Sequence, residues 1–326
     1  MTSTPELFTV CIPIFNDWES AREIARRLQA VTRSTGQAFH LVLVDDASTI
    51  IPRDDELAQD PYLNGTTLLQ VRRNLGHQRA IAIGLTYIFK NIPCRGVVVM
   101  DGDGEDAPED VPHLIQALTA TQDSQAVFAK RMKRTESLLF RFFYFLFRLV
   151  HLFLTGRKVE VGNFSVLPQH LLARLVGVSE MWNHYAAAVV KARLPMTLVP
   201  LARGKRIQGE SKMNFVSLVT HGLSAISVFS DEIGVRLLVA LISCLGLFVL
   251  AIVGLLIMQP LASVTYAPTI LTAISGLIEL TVMSILLAVV FVLIILQGRN
   301  VNTFLPLRDF EYFILRAFEV QPHGGV

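Results

Sequence analysis

Two long apolar runs near the carboxyl end limit what this chain can become. Leu237 to Met258 contains no charged residue, and Thr269 to Leu296 carries a single one, Glu279. Wound as helices at about 1.5 Å per residue, both runs match a hydrocarbon core about 30 Å thick. They predict two transmembrane helices, at about 236–258 and 269–296 within a segment 235–298, joined by a short loop 259–268. Two spans leave both flanks on one side. Arg236 precedes the first span, Arg299 and Arg308 follow the second, and the loop holds no Lys or Arg. The flanks are therefore expected in the cytoplasm. A hydrophobic share of 52% and a mean hydropathy of +0.48 agree with a membrane-embedded part. An intramembrane acid is a functional candidate by default. For Glu279 the expectation is structural, a protonated or paired side chain at a helix or subunit interface.

The remaining composition narrows the class further. The first residues, MTSTPELF, have neither a basic region nor an apolar core, so no cleaved signal is expected. Cys11, Cys94 and Cys244 are scattered, which argues against a disulfide framework or a metal cluster and fits a reducing compartment. A net charge of +2 is too small to imply nucleic acid.

Ahead of the apolar runs, strand-like and helix-like segments alternate. Residues 7–14, 39–44, 66–71 and 97–100 are apolar runs of the kind found in strands covered on both faces. Residues 18–31 and about 77–89 have helical spacing. This order predicts a mostly parallel α/β sheet, whose ligands bind at the carboxyl ends of the strands. Those ends hold Asn16 and Asp17, then Asp45 and Asp46, then Asn74 with Gly76, and finally Asp101 and Asp103. Each pair alone would serve as a helix cap; four in succession describe a polar rim. The fourth end, DGDGEDAPED at 101–110, offers carboxylates at alternate positions. Hard oxygen ligands of that kind suit Mg²⁺ or Mn²⁺. The alternative is a solvated acidic turn ahead of a helix starting near Pro108.

Further along, residues 138–154 carry Arg141, Tyr144, Arg148 and His151 at three- and four-residue intervals among many Phe residues. That pattern predicts an amphipathic helix lying in the headgroup region. Strands are expected at 159–166 and 196–201, and helices at 168–176 and 181–192. RGKRIQGESKMN at 203–214 is a glycine-containing basic loop, suited to phosphate oxygens or to flanking a membrane anchor. An amphipathic helix over about 212–234 should lead into the first span, bringing the rim against the bilayer.

Four motifs, IPIFND at 12–17, VDDAST at 44–49, RNLGHQRAIAIGL at 73–85 and DGDGEDAPED at 101–110, together resemble family 2 glycosyltransferases of the GT-A fold. The likeness is greatest to the membrane-anchored polyprenyl-phosphate glycosyltransferases related to dolichyl-phosphate mannose synthase. RIQGESK at 206–212 resembles their diphosphate-binding loop. The resemblance implies a cytoplasmic GT-A domain over 1–211, the membrane segment, and a cytoplasmic tail 299–326, in an integral protein of a bacterial inner membrane. It implies that Pro13, Asn16, Asp17, Asp45, Asp46, Asn74 and Gly76 surround the nucleotide sugar, and that Asp101, Asp103 and Glu105 hold the metal. Arg131 would meet an acceptor phosphate, and Arg206, Ser211 and Lys212 would close on the donor. Relatives carry an Asp near residues 159–165, where this chain has VEVGNFS; a lipid phosphate acceptor needs little general base, whereas a hydroxyl acceptor would want Glu160 or Glu180, and the catalytic carboxylates implied are Asp103 and Glu160.

The implied reaction is inverting transfer of a sugar to a polyprenyl phosphate, with a homo-oligomer possible. Two alternatives stand beside it: transfer to the hydroxyl of a lipid-linked saccharide, and a non-catalytic membrane scaffold.

Overall fold

The computed structural model describes residues 7–50, 63–131, 138–157, 161–202, 204, 206–207, 215–258, 267–299 and 304–320. In chain order the elements are β1 (Phe8–Ile14), α1 (Trp18–Thr35), β2 (Phe39–Asp45), β3 (Thr66–Val71), α2 (His77–Asn91), β4 (Gly96–Val99), α3 (Val111–Ala120), β5 (Ala126–Arg131) and α4 (Leu138–Thr155). There follow β6 (Ser165–Pro168), α5 (Gln169–Leu175), α6 (Tyr185–Lys191), β7 (Met196–Leu201), α7 (Phe215–Ser227), α8 (Ser230–Met258), α9 (Ala267–Arg299), α10 (Pro306–Phe313) and β8 (Ile314–Glu319). The chain divides into two compact units. One comprises Met1–Tyr144, Val159–Val228 and Thr303–Val326; the other comprises Phe145–Lys158 and Phe229–Asn302.

The first unit is built on a sheet in the order β7-β5-β6-β4-β1-β2-β3-β8. Strands β1 to β4 pair in parallel, β6 runs antiparallel to β4 and β5, and β8 runs antiparallel to β3. Period-two alternation sorts the strand residues onto two faces. Val10, Ile12, Leu41, Leu43 and Val98 pack with Ile24 and Leu28 of α1 and Leu114 and Leu118 of α3. Cys11, Val42, Val44, Leu69 and Val97 pack with α2, α5 and α6. Burial of Cys11 pushes its thiol up to about 12, so it remains a neutral core residue. Helix α2 lies very close to the sheet: a Cβ on Gly84 would fall 2.6 Å from both Cys11 Sγ and Val44 Cγ2. Only glycine allows that approach.

The sheet is larger than the apolar runs foretold. β5 and β8 were not expected, and the segment read as a tail forms α10 and β8, with β8 on the edge beside β3. Trp182, Phe304 and Phe313 stack together beneath it, the first two at 3.8 Å between centroids. The helix expected over 181–192 is broken. A 3-10 turn at Ser179–Trp182 stops, and His184 in extended backbone restarts the chain as α6, its ring accepting the N–H of Ala187. The strand expected over 159–166 is Ser165–Pro168 among the described residues.

In the second unit α8 and α9 pack against each other, and both are long and apolar enough to cross a membrane. Most of their large side chains, such as Leu250, Ile257, Met283 and Leu287, point outward, as does Glu279. Helix α8 begins at Ser230, after a break that separates it from α7. The end of α4 belongs to this unit; of the expected polar stripe, the side chains of Arg141 and Tyr144 lie outside the described residues. Arg148 is exposed but His151 is buried, lying edge-on to Phe229 at 6.3 Å. Arg157 sits over the Phe229 ring and pairs with Glu232 at 3.5 Å, so the imidazole is enclosed where the helix ends.

Candidate active site

The carboxyl ends of β1 to β4 form one rim, and local hydrogen bonds build it. Asn16 adopts a left-handed backbone, φ 52°, which Asn tolerates better than most residues. Its side-chain oxygen accepts the N–H groups of Thr49 and Ile50 at 2.9 and 3.1 Å, while its own N–H donates to Ser48 Oγ at 2.9 Å. The loops after β1 and β2 are thereby joined. Asp17 caps α1 by its backbone alone, leaving its half-buried carboxylate out of the cap. Asp45 accepts from Ser48 N–H at 2.9 Å and from the Gln70 amide at 3.0 Å. Asp46 accepts the N–H groups of Leu75 and Gly76, both at 2.7 Å. Burial pushes the Asp46 carboxyl up, and these two donors pull it back. Both acids, expected around the nucleotide, are thus also the fastenings of the loops. Gly76, φ 88°, is the N-cap of α2, and Asn74 is exposed nearby.

The acidic turn after β4 is folded on itself. Asp101 N–H donates to the buried Asp106 at 2.9 Å, and Glu105 N–H donates to Asp103 Oδ1 at 3.0 Å. Gly102 is pressed against β1, where a Cβ would lie 2.8 Å from the carbonyl oxygen of Pro13. The loop following β7 latches onto this turn. Gly204 N–H donates to the Glu105 carbonyl at 2.8 Å, Ile207 N–H to the Asp103 carbonyl at 3.0 Å, and the Arg206 guanidinium reaches Asp103 Oδ2 at 3.3 Å. Two glycines permit the approach. Gly104 has φ 82° and faces Ile207, and a Cβ on Gly204 would come within 2.9 Å of the Gly104 carbonyl.

A buried polar chain holds Asp101 from behind. Asn163 donates its amide to Asp101 Oδ1 at 3.0 Å, Gln78 donates to Asn163 Oδ1 at 3.0 Å, and the Tyr185 N–H donates to Gln78 Oε1 at 2.7 Å. Sequence reading named Asn163 only within a departing segment, and Gln78 only within a motif. Their partnership joins α2 to the strand-β6 approach and has no sequence-local trace.

The other expected residues fall as follows. Pro13 is buried in β1. Arg131 ends β5, which runs the same way as β4, so it stands on the same rim. Glu180 lies in the 3-10 turn and accepts from Ser179. Glu105 is buried, whereas Asp101 and Asp103 are half-buried at the rim. Among the described residues no three His, Cys, Asp or Glu side chains converge closely enough to hold a metal ion. Glu160, Ser211 and Lys212 lie outside the described residues.

An α/β sheet with an acidic carboxyl rim and a cationic loop latched to it can bind a phosphorylated ligand. Known proteins share the plan. Among solved structures, glucosyl-3-phosphoglycerate synthase from Mycobacterium tuberculosis, crystallised with Mn²⁺, UDP-glucose and phosphoglyceric acid, superposes with a TM-score of 0.50, covering 70% of this chain and 79% of that one at 15% identity. The fold is therefore GT-A. YkcC of Bacillus subtilis, named as an uncharacterized glycosyltransferase, is 24% identical over 69% of both chains. The undecaprenyl-phosphate 4-deoxy-4-formamido-L-arabinose transferase of Edwardsiella ictaluri is 26% identical over 71% of this chain and 73% of its own. Residues 9–176, which carry the rim from β1 through Asn163, match the model for glycosyl transferase family 2, and the chain belongs to that family as a glycosyltransferase.

Proposed function

We propose that this enzyme transfers a sugar from a nucleotide sugar to a polyprenyl phosphate, inverting the anomeric centre, with Mg²⁺ or Mn²⁺, at the cytoplasmic face of a bacterial inner membrane. The observation that carries the reading is the pairing of Arg206 with Asp103 across the latched loop. A guanidinium beside two rim carboxylates suits a diphosphate accompanied by a divalent cation. The lipid-phosphate acceptor is supported by likeness to transferases named for undecaprenyl phosphate, and by two helices long and apolar enough for a membrane.

The donor set fits a hard cation at Asp101 and Asp103, while burial sets Glu105 apart from them. A cation held there would neutralise charge growing on the leaving diphosphate. The chain's own residues supply the rest. Arg206 offers a second positive charge at the same place, and Asn163 fixes the direction of Asp101. An acceptor oxygen attacks the anomeric carbon as the bond to the nucleoside diphosphate breaks, the electron pair leaving with the diphosphate. The side chain set against Asp101 is an amide, which takes up no proton. This agrees with an acceptor already ionised near neutrality, such as a phosphate monoester with a second pKa of about 6.

Purified full-length protein in detergent, given Mn²⁺ or Mg²⁺, a panel of labelled nucleotide sugars and undecaprenyl phosphate, is expected to move label from one donor into the organic phase. Asp103→Ala should abolish that transfer. Label entering only a lipid-linked saccharide would replace the acceptor in this reading.

A further inference from the structure

Strand β8 comes from the chain beyond α9, yet it feeds a line of hydrogen bonds into the rim. Asp45 is in register with Gln70 across β2 and β3, and Gln70 with Arg316 across β3 and β8. Residues in register on neighbouring strands share a face of the sheet, so the three side chains form one row. Arg316 Nε donates to Gln70 Oε1, and Gln70 Nε2 donates to Asp45 Oδ2 at 3.0 Å. The pairing shifts at this point, with Val71 facing Ile314, a bulge of the kind that re-aims a side chain. Beyond Asp45 the line continues. Ser48 N–H donates to Asp45 Oδ1 at 2.9 Å, and Ser48 Oγ accepts the Asn16 N–H at 2.9 Å. Arg316 is exposed while Gln70 and Asp45 are buried, so the row runs from the sheet edge to the junction of the loops after β1 and β2.

A carboxamide has one accepting end and one donating end, whereas a guanidinium only donates. Arg316 therefore holds the oxygen of Gln70 and turns its N–H groups toward Asp45. The opposite orientation would set the amide oxygen against a buried carboxylate and deprive that carboxylate of a donor. Joining β8 to β3 does not require this arrangement. Main-chain pairing already runs from Thr67 to Val71, and Arg72 adds its N–H to the Phe313 carbonyl at 2.8 Å and its Nε to the Tyr312 carbonyl at 2.9 Å. The place of Asp45 on the rim indicates what the row serves. Neighbouring strands lie about 4.8 Å apart, so in the order β4-β1-β2 the end of β2 stands about 10 Å from the acids that follow β4. A nucleoside attached to a diphosphate at Asp101, Asp103 and Arg206 has that reach. On the other flank of β4, β6 is antiparallel and brings no carboxyl end to the rim.

We infer that Arg316 is a positioning residue for the nucleoside half of the donor, acting through Gln70 on Asp45 and on the loop that Asp45 fastens. The inference rests on the nucleotide-sugar reading given above. Its test uses full-length protein in detergent with Mn²⁺, a labelled nucleotide sugar and undecaprenyl phosphate, with UDP, GDP, CDP and ADP as calorimetric probes of the nucleoside end. Arg316→Met keeps an apolar stem and removes the donor. It is expected to raise the KM for the nucleotide sugar on the order of tenfold, the scale of one hydrogen bond to a charged group. Affinity for the nucleoside diphosphate should fall in parallel, while kcat at saturating donor and the acceptor KM stay near wild type. Arg316→Lys, which still donates to the Gln70 oxygen, should restore most of that affinity. Gln70→Glu leaves Arg316 a partner but sets a carboxylate against Asp45, so it should weaken donor binding at least as much as Arg316→Met. Wild-type donor KM and nucleoside diphosphate affinity in Arg316→Met would overturn this inference alone. So would equal loss toward donor and acceptor, the mark of general damage to the fold. A wild-type enzyme that binds none of the nucleoside diphosphates and transfers from no nucleotide sugar would overturn the donor reading and this inference together.

Discussion

At the scale of single residues, the candidate site is built around one carboxylate whose direction is fixed by hydrogen bonds. Asp101 is held by Asn163, and Asn163 by Gln78, in a buried chain of amides that leaves little freedom to rotate. Asn163→Ala removes the donor to Asp101 and takes away one of the acceptors that the Gln78 amide meets. It is expected to weaken Mn²⁺ binding, followed by electron paramagnetic resonance, and to lower kcat by roughly tenfold or more, the effect of losing one well-placed hydrogen bond to a charged group. The acceptor KM should change little, which separates aiming of Asp101 from general damage. Asp101, Asp103 and Arg206 were legible in the sequence because an apolar run ending in acids, and a basic glycine loop, announce themselves locally. Gln78 and Asn163 are 85 positions apart, and an amide facing another amide leaves no periodicity to detect. The pairing became visible only when α2 and the approach to β6 were set side by side.

Elements obey the same division between local and distant causes. β1 to β4 were readable because continuous apolar runs between polar ends suit strands covered on both faces. β5 ends in Lys130 and Arg131, which lead into a basic stretch, and β8 exposes most of its residues at the sheet edge, so neither reads as a continuous apolar run between polar ends. The helix break near His184 follows from a cap and a buried Tyr185 N–H bonded to Gln78, again a distant partner. Close packing of α2 on the sheet carries its own prediction. Gly84→Ala places a methyl against Cys11 and Val44, and overpacking of a filled core costs about 1–3 kcal/mol. The variant should melt several degrees lower with an unchanged oligomeric profile, and a Tm equal to wild type would show that α2 can shift at no cost.

For the whole molecule, the unit bearing the rim is assembled from discontinuous stretches of chain. Residues 303–326 cluster with the sheet that residues 1–144 begin, although the long apolar helices lie between them. Deleting 303–326 would bare the β3 edge and strip Phe304 and Phe313 from Trp182, so the shortened protein is expected to aggregate on size-exclusion chromatography. Retention of a monodisperse, fully active species would show the last strand to be dispensable. The same edge strand bears on biosynthesis. Gln70 is bonded by Arg316, a residue made 246 positions later, after the whole of α8 and α9. While the ribosome is still extending those helices, β3 lacks its final neighbour. The nascent protein must keep that edge from other strands until the last turns of synthesis, and the finished sheet attests that both apolar helices have already emerged.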